Sequence, residues 1–247
     1  MRIEVTYEQV QPLALPYDLN YALTSYLYYC LARIDEGQAK WLHDEGITFA
    51  GRSYKPLVTS RLQFQSLQTH RTHMMIQGEV KWRLDSIQPE LIQNLIQGIW
   101  SVECLRLPKA RIPLRDVRIL EQPTFTETMQ YEPLSPIVVP VQQGERLHYC
   151  HPLESQFYDS LRQSISQWYQ IKWGEPMGDP SIHVSVLEPA RSKLSTTAVL
   201  TTFKRKKLKG YLLPLEIQAD PNVQQVIYES GLGSYGFQGF GMMEVRK

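Results

Sequence analysis

RIEVTYEQV (Arg2–Val10) runs almost directly into PYDLNYALTSYLYYCLARI (Pro16–Ile34), and the hydrophobic period changes between them. In the first stretch Ile3, Val5 and Tyr7 alternate with polar neighbours, the pattern of a half-buried strand. In the second, Leu19, Ala22, Leu23, Tyr26, Leu27, Cys30 and Leu31 form the stripe of an amphipathic helix, with Pro16 near its start. GQAKWLHDEG reads as a short second helix stopped by Gly46. LVTSRLQF and HMMIQGEVKWRL read as strands, PELIQNLIQGIW as a helix opened by Pro89, and RDVRILEQ as a strand. The order β-α-β-β-α-β is that of the ferredoxin-like unit.

The second half repeats this order. PIVVPV reads as a strand, and LESQFYDSLRQSISQWY as a helix with Leu153, Phe157, Leu161, Ile165 and Trp168 or Tyr169 on one face. SIHVSVLEP supplies a strand, and STTAVLTTF to GYLLPLEI a long hairpin. DPNVQQVIYESG has Asp220 placed to cap a helix, Pro221 at its first position and Gly231 beyond its end. GFGMMEV is the last strand. Residue identities do not repeat between the halves, so the expectation rests on element order. It is an α+β chain of tandem ferredoxin-like (βαββαβ) domains, residues 1–125 and 126–247, joined near QPTFTETMQYEPLS.

With 247 residues and 43% hydrophobic content, the chain is long enough for two cores. A net charge of +1 means that any nucleic-acid surface must be local. Cys30, Cys104 and Cys150 are odd in number and far apart, which favours a reducing compartment over a disulfide framework. The start lacks the apolar core of a signal peptide, and no stretch approaches the length of a membrane span. These features predict a cytoplasmic protein without a membrane partner.

GLGSYGFQGFGMMEV (Gly231–Val245) holds Gly231, Gly233, Gly236, Gly239 and Gly241. No helix and no acidic ribose ligand follow in the arrangement of a dinucleotide fingerprint, and no Gly-Lys-Ser/Thr of a P-loop is present. A flexible turn is the plain reading. The paired spacing also suits a loop that offers backbone N–H groups to a phosphate chain without a helix dipole.

At this point the chain resembles the CRISPR precursor-RNA-processing endoribonucleases of the repeat-associated RNA-binding superfamily. GLGSYGFQGFGMMEV is similar to that family's C-terminal glycine-rich loop and strand, and LSPIVVPV with FYDSL to the opening strand and helix of its second domain. PYDLNYALTSYLYYCL, WLHDEG and YKPLVTSRL resemble its first helix, its histidine-bearing turn and the following strand. The resemblance covers most of the chain. It implies a metal-independent cut in each CRISPR repeat, made by the RNA's own 2′-OH. The products are a 2′,3′-cyclic phosphate, or its opened form, and a 5′-OH end. It also implies CRISPR repeat RNA as partner, transfer of the guide to an effector complex, and no cofactor.

Such a cleavage needs a base or an aligned nucleophile, an acid for the leaving oxygen, and an offset for charge on five-coordinate phosphorus. His43 matches the family histidine and suits either proton-transfer role, since histidines titrate near neutrality. The plain alternative is a surface histidine beside Asp44 and Glu45. Tyr28 matches the helix-one tyrosine and stands off the Leu23, Leu27, Leu31 stripe. Lys55 is the candidate phosphate cation, with Arg52 its competitor.

For RNA contact the sequence offers Lys204, Arg205, Lys206, Lys207 and Lys209 between two predicted strands, Arg191 with Lys193, and the stretch Arg106 to Arg118. The five loop glycines join them, with Gly233 and Gly239 expected to lie where a side chain would block the approach. His70 and His73 have ligand-like spacing without a nearby carboxylate or cysteine. His148 and His151 flank Cys150; two histidines and a cysteine so close in sequence do not by themselves close a tetrahedral site, so the segment reads as a loop and no metal is expected. Two other readings stay open: a non-catalytic RNA-binding subunit of an effector complex, and a small-molecule enzyme on a ferredoxin-like scaffold. The sequence is compatible with a monomer or a homodimer.

Overall fold

The computed structural model describes residues 1–179 and 181–246; Lys247, the last residue of the expected second domain, lies outside the described residues. The chain forms two compact units. The first comprises Met1–Pro56 and Arg61–Glu121, the second Leu57–Ser60 and Gln122–Lys247.

The first unit begins with β1 (Arg2–Leu15), α1 (Asn20–Ala32), α2 (Glu36–Asp44) and a hairpin of β2 (Ile47–Phe49) and β3 (Arg52–Tyr54). The short β4 (Val58–Thr59) clusters with the second unit. The first unit continues with β5 (Gln63–Thr69), β6 (Met74–Asp85), α3 (Pro89–Val102), β7 (Cys104–Leu107) and β8 (Ala110–Ile119). Its strands pair antiparallel in the order β5-β6-β1-β8-β7. Ile3, Val5 and Tyr7 of the central strand are fully buried, as their alternation requires, and α1 buries Leu23, Tyr26, Leu27, Cys30 and Leu31. The sheet is clasped at one end by Arg2 Nε, 2.8 Å from Asp85 Oδ2, with both side chains out of solvent.

Three features of this unit differ from expectation, the first being β7 (Cys104–Leu107), which the sequence did not announce. LVTSRLQF is not one strand but β4 and β5, which belong to different units. The β2–β3 hairpin was not expected, because its turn places Ala50 and Gly51 at positive φ without the usual Asn-Gly or Asp-Gly signal.

The second unit contains β9 (Thr128–Pro133), β10 (Pro140–Gln143), β11 (Arg146–Tyr149), α4 (Ser155–Trp173) and β12 (His183–Val186). A one-turn helix α5 (Leu194–Thr197), β13 (Ala198–Phe203), β14 (Lys206–Tyr211), β15 (Leu215–Gln218), α6 (Pro221–Ser230), a 3-10 turn (Gly236–Gln238) and β16 (Met243–Val245) complete it. The main sheet has the order β12-β15-β9-β16, the ferredoxin-like arrangement again. Its core gathers Met129, Tyr131, Phe157, Leu161, Ile165, Leu215, Ile217, Val223 and Ile227. Asp220 caps α6 by accepting the Asn222 N–H at 2.8 Å, with Pro221 in the first turn.

The opening strand of this sheet is TMQYEP, not PIVVPV. Its apolar side chains, Met129 and Tyr131, make too short an alternation to stand out from the polar segment around them. PIVVPV is apolar, but Pro136 and Pro140 lack the N–H that a ladder needs. Ile137 makes only an isolated bridge to Tyr211, and Pro140 opens the β10–β11 hairpin. The expected long hairpin ends at Tyr211, and LEI forms β15 in the main sheet. Leu153, expected on the buried face of the helix, is 78% exposed because α4 starts only at Ser155. Among the described residues no helix is long and apolar enough to cross a membrane.

Candidate active site

α2 begins with the Asp35 side chain accepting the Gln38 N–H at 2.8 Å and ends where the N–H groups of Glu45 and Gly46 both reach Trp41 O. His43 therefore sits in the last helical turn, with its side chain 68% exposed. Tyr28 stands on α1 beside the buried stripe and is half-buried. Its ring meets the His43 ring edge-on, with centroids 5.1 Å apart. The β2–β3 hairpin then turns the chain back. Ile47 pairs with Tyr54, so Lys55 emerges at the base of the hairpin and its Nζ donates to the backbone carbonyl of His43 at 2.9 Å. Ser53 adds a hydroxyl bond to Glu45 O. The fold thus collects Tyr28, His43 and Lys55 at one helix end.

Arg52, the competitor of Lys55, lies opposite Phe49 next to the hairpin turn, and its charge acts on the Tyr54 hydroxyl. Lys55, not Arg52, is the cation hydrogen-bonded to the histidine's backbone. Asp44 has no evident role in the sequence, yet its Oδ1 lies 2.7 Å from His43 Nδ1. Adjacency alone could not reveal this, since successive helical side chains do not ordinarily face each other.

Burial, and after it the charge of Asp44, pushes the Tyr28 phenol up to about 12. The phenol is therefore protonated at neutral pH, available as a proton donor and not as a base. The hydrogen bond from His43 holds the Asp44 carboxyl below its ordinary range. Partial burial lowers the Lys55 ammonium, against the opposing charges of Asp44 and Glu45. An ionised Asp44 accepts a hydrogen bond from Nδ1–H, which assigns the neutral imidazole's lone pair to Nε2.

In the glycine loop many backbone amides already have partners. The N–H groups of Gly231, Leu232, Ser234, Gln238, Gly239 and Gly241 bond to Ile227 O, Gly241 O, Val138 O, Tyr235 O, Gly236 O and Pro136 O. The Met242 N–H reaches Ser135 Oγ at 2.9 Å. These amides are engaged within the second unit and are not free for phosphate. Gly231, Gly239 and Gly241 are buried, whereas Gly233 and Gly236 are half-exposed. Packing explains two of the glycines directly. Gly233 has φ +79° and a Cβ there would lie 2.5 Å from Val138 O; Gly241 has φ +73° and a Cβ there would overlap Leu232 O.

Lys204 and Arg205 form the two-residue turn between β13 and β14, with Lys204 at φ +56°, and Lys206, Lys207 and Lys209 follow along β14. All five side chains are exposed, as are Arg191 and Lys193 in the segment before α5. Three arginines of the stretch Arg106–Arg118 are engaged, while Lys109 and Arg111 are exposed. Arg115 pairs with Glu79 at 2.5 Å, Arg118 with Asp116 at 2.5 Å, and Arg106 stacks over Tyr29 at 4.6 Å. His70 and His73 stack on each other at 4.6 Å across the β5–β6 turn and gather no third metal-ligating side chain among the described residues.

Comparison with known proteins agrees with this architecture. A protein of Pyrococcus furiosus called CRISPR-associated endoribonuclease Cas6 is 24% identical over 158 residues, spanning 64% of this chain and 57% of that protein. One of Methanocaldococcus jannaschii, called CRISPR-associated endoribonuclease Cas6 1, is 22% identical over 250 residues, spanning 98% of this chain and 92% of its own length. The solved structure of a Cas6-related protein from Pyrococcus furiosus has the same fold. It superposes with a TM-score of 0.86 at 19% identity over all of this chain and 98% of that one. The family model of CRISPR associated protein Cas6, C-terminal, matches residues 120–245, which carry the β9-centred sheet, α6 and the glycine loop, and the chain therefore belongs to the Cas6 family.

Proposed function

We propose that this protein is a cytoplasmic, metal-independent endoribonuclease that cuts CRISPR repeat RNA within the precursor transcript. The observation that carries the reading is the meeting of Tyr28, His43 and Lys55, which come from a helix, a second helix and the end of a hairpin. In this mechanism His43 Nε2 accepts the 2′-OH proton, while Asp44 holds Nδ1. The 2′-oxygen bonds to the adjacent phosphorus and the P–O5′ bond breaks. The leaving oxygen takes a proton from the Tyr28 phenol or from water, and Lys55 offsets charge on the five-coordinate phosphorus. The products are a 2′,3′-cyclic phosphate and a 5′-OH. Each of these groups moves a proton or supplies charge, so the step needs no added ion. All of them come from one chain, so a monomer suffices for the chemistry.

The exposed basic turn, Arg191, Lys193 and the half-exposed rim at Gly233 and Gly236 are the RNA-contact candidates in the second unit. The test is incubation of the protein with labelled repeat RNA in EDTA, beside RNA with a 2′-deoxy sugar just upstream of the cut. One cut, blocked by the deoxy sugar, supports the mechanism. Tight binding without cleavage would move the assignment to an RNA-holding subunit of an effector complex.

A further inference from the structure

The LHYCHP segment acquires a partner that its sequence did not offer. β11 carries His148 opposite Val141 of β10, and the Cys150 N–H bonds to Val139 O at 2.9 Å, which anchors the chain just after the strand. Residues 151–153 then turn into α4, whose capping residue is Glu154. Strand, loop and helix cap bring one donor atom each of His148, Cys150 and Glu154 within 4.8 Å of one another. His148 Nε2 lies 2.9 Å from Glu154 Oε2, while Glu154 Oε1 accepts the His151 N–H at 2.8 Å. Cys150 is 1% exposed, and the side chains of His148 and Glu154 are each 37% exposed. The cluster is thus a small cup with sulfur at its floor and an open mouth. Beside it the Tyr211 ring packs edge-on to His151, and its buried hydroxyl has no hydrogen-bond partner among the described residues.

We propose that this cup is a site for a zinc-class divalent ion, with His148, Cys150 and Glu154 as protein ligands and water in the fourth position. Donors at about 2.0–2.3 Å in a tetrahedron stand about 3.3–3.8 Å apart, so the three atoms need only a small contraction. The donor set decides the ion. Sulfur and imidazole nitrogen exclude a preference for calcium or magnesium, which take oxygen, and suit zinc or its cobalt(II) substitute. The ion takes the place of the proton between His148 and Glu154. It staples the β10–β11 hairpin to the start of α4. His151 stays outside the ligand set, since its Nδ1 already accepts the Leu153 N–H at 3.1 Å. The site belongs to the second unit and stands independently of the cleavage chemistry.

Cobalt(II) titration of the purified full chain, in reducing buffer without chelator, tests this. The expected result is about one equivalent bound, an intense near-ultraviolet thiolate-to-cobalt band and tetrahedral ligand-field bands in the visible. Zinc should displace cobalt and raise Tm. Cys150→Ser should lose the thiolate band; because Cys150 is buried and that variant can misfold, His148→Gln and Glu154→Gln carry the decision. Each should weaken binding more than about tenfold with an unchanged far-ultraviolet spectrum. His70→Gln with His73→Gln should leave the bands intact. Absence of a thiolate band in the unmodified protein, or its survival unchanged in both His148→Gln and Glu154→Gln, overturns the site.

Discussion

Lys55 Nζ donates to the backbone carbonyl of His43 at 2.9 Å, so the cation proposed to meet the phosphate also caps the helix that carries the histidine. Position and charge are coupled in one side chain. Lys55→Ala should lower the single-turnover rate at saturating RNA by about 10²–10³. An effect confined to RNA affinity, with the saturated rate unchanged, would make Lys55 a gripping residue only.

His43 is mostly exposed, so its loss should leave the fold intact. His43→Ala should reduce cleavage by about 10²–10⁴, with repeat binding nearly unchanged and stability altered by less than about 0.5 kcal/mol. Gel assays of cleavage and binding, with a thermal melt, check all three. Full activity in this variant sinks the mechanism.

Tyr28 makes a prediction with a definite sign. Its phenol rises from 10.0 to about 12 in the folded chain, so folding favours the neutral ring. The associated stability is present below the unfolded value, 10.0, and is lost as pH rises through about 12. Thermal melts across that range should show a steeper alkaline loss for the unmodified chain than for Tyr28→Phe. Tyr28→Phe should also slow cleavage near neutral pH without creating a new ionisation in the rate profile.

The β13–β14 turn contains no acidic residue. Replacing Lys204, Arg205, Lys206 and Lys207 by Gln should flatten the plot of log affinity against log salt. The slope should fall by about 0.7 for each single-strand phosphate contact removed. An unchanged slope removes the turn from the RNA interface.

Gly233 separates packing from recognition. Gly233→Val puts a branched side chain at positive φ against Val138 O, and a cost of at least about 1–3 kcal/mol is expected. Thermal melts should fall before RNA affinity does. A variant with normal stability and lost binding would restore the amide-presenting loop that the hydrogen-bond pattern argues against.

Residues close in sequence determined much of this protein. The change from alternation in Arg2–Val10 to a helical stripe in α1, the Asp220–Pro221 cap of α6 and the order of elements follow from local periodicity and capping. The same locality explains the misreadings. PIVVPV has a strand's composition, but its prolines remove the donors; TMQYEP becomes a central strand because β15 and β16 pair on either side of it. The sequence singled out Tyr28, His43 and Lys55 as candidates, and the fold brings them together at one helix end. Tertiary structure alone decided that Lys55, rather than Arg52, caps the histidine helix, that most loop amides are already bonded, and that Glu154 joins His148 and Cys150. The physical reason is common to all three. Hydrogen bonds and metal geometry depend on distances of a few ångströms between side chains or backbone groups from different elements, and no local pattern encodes those distances.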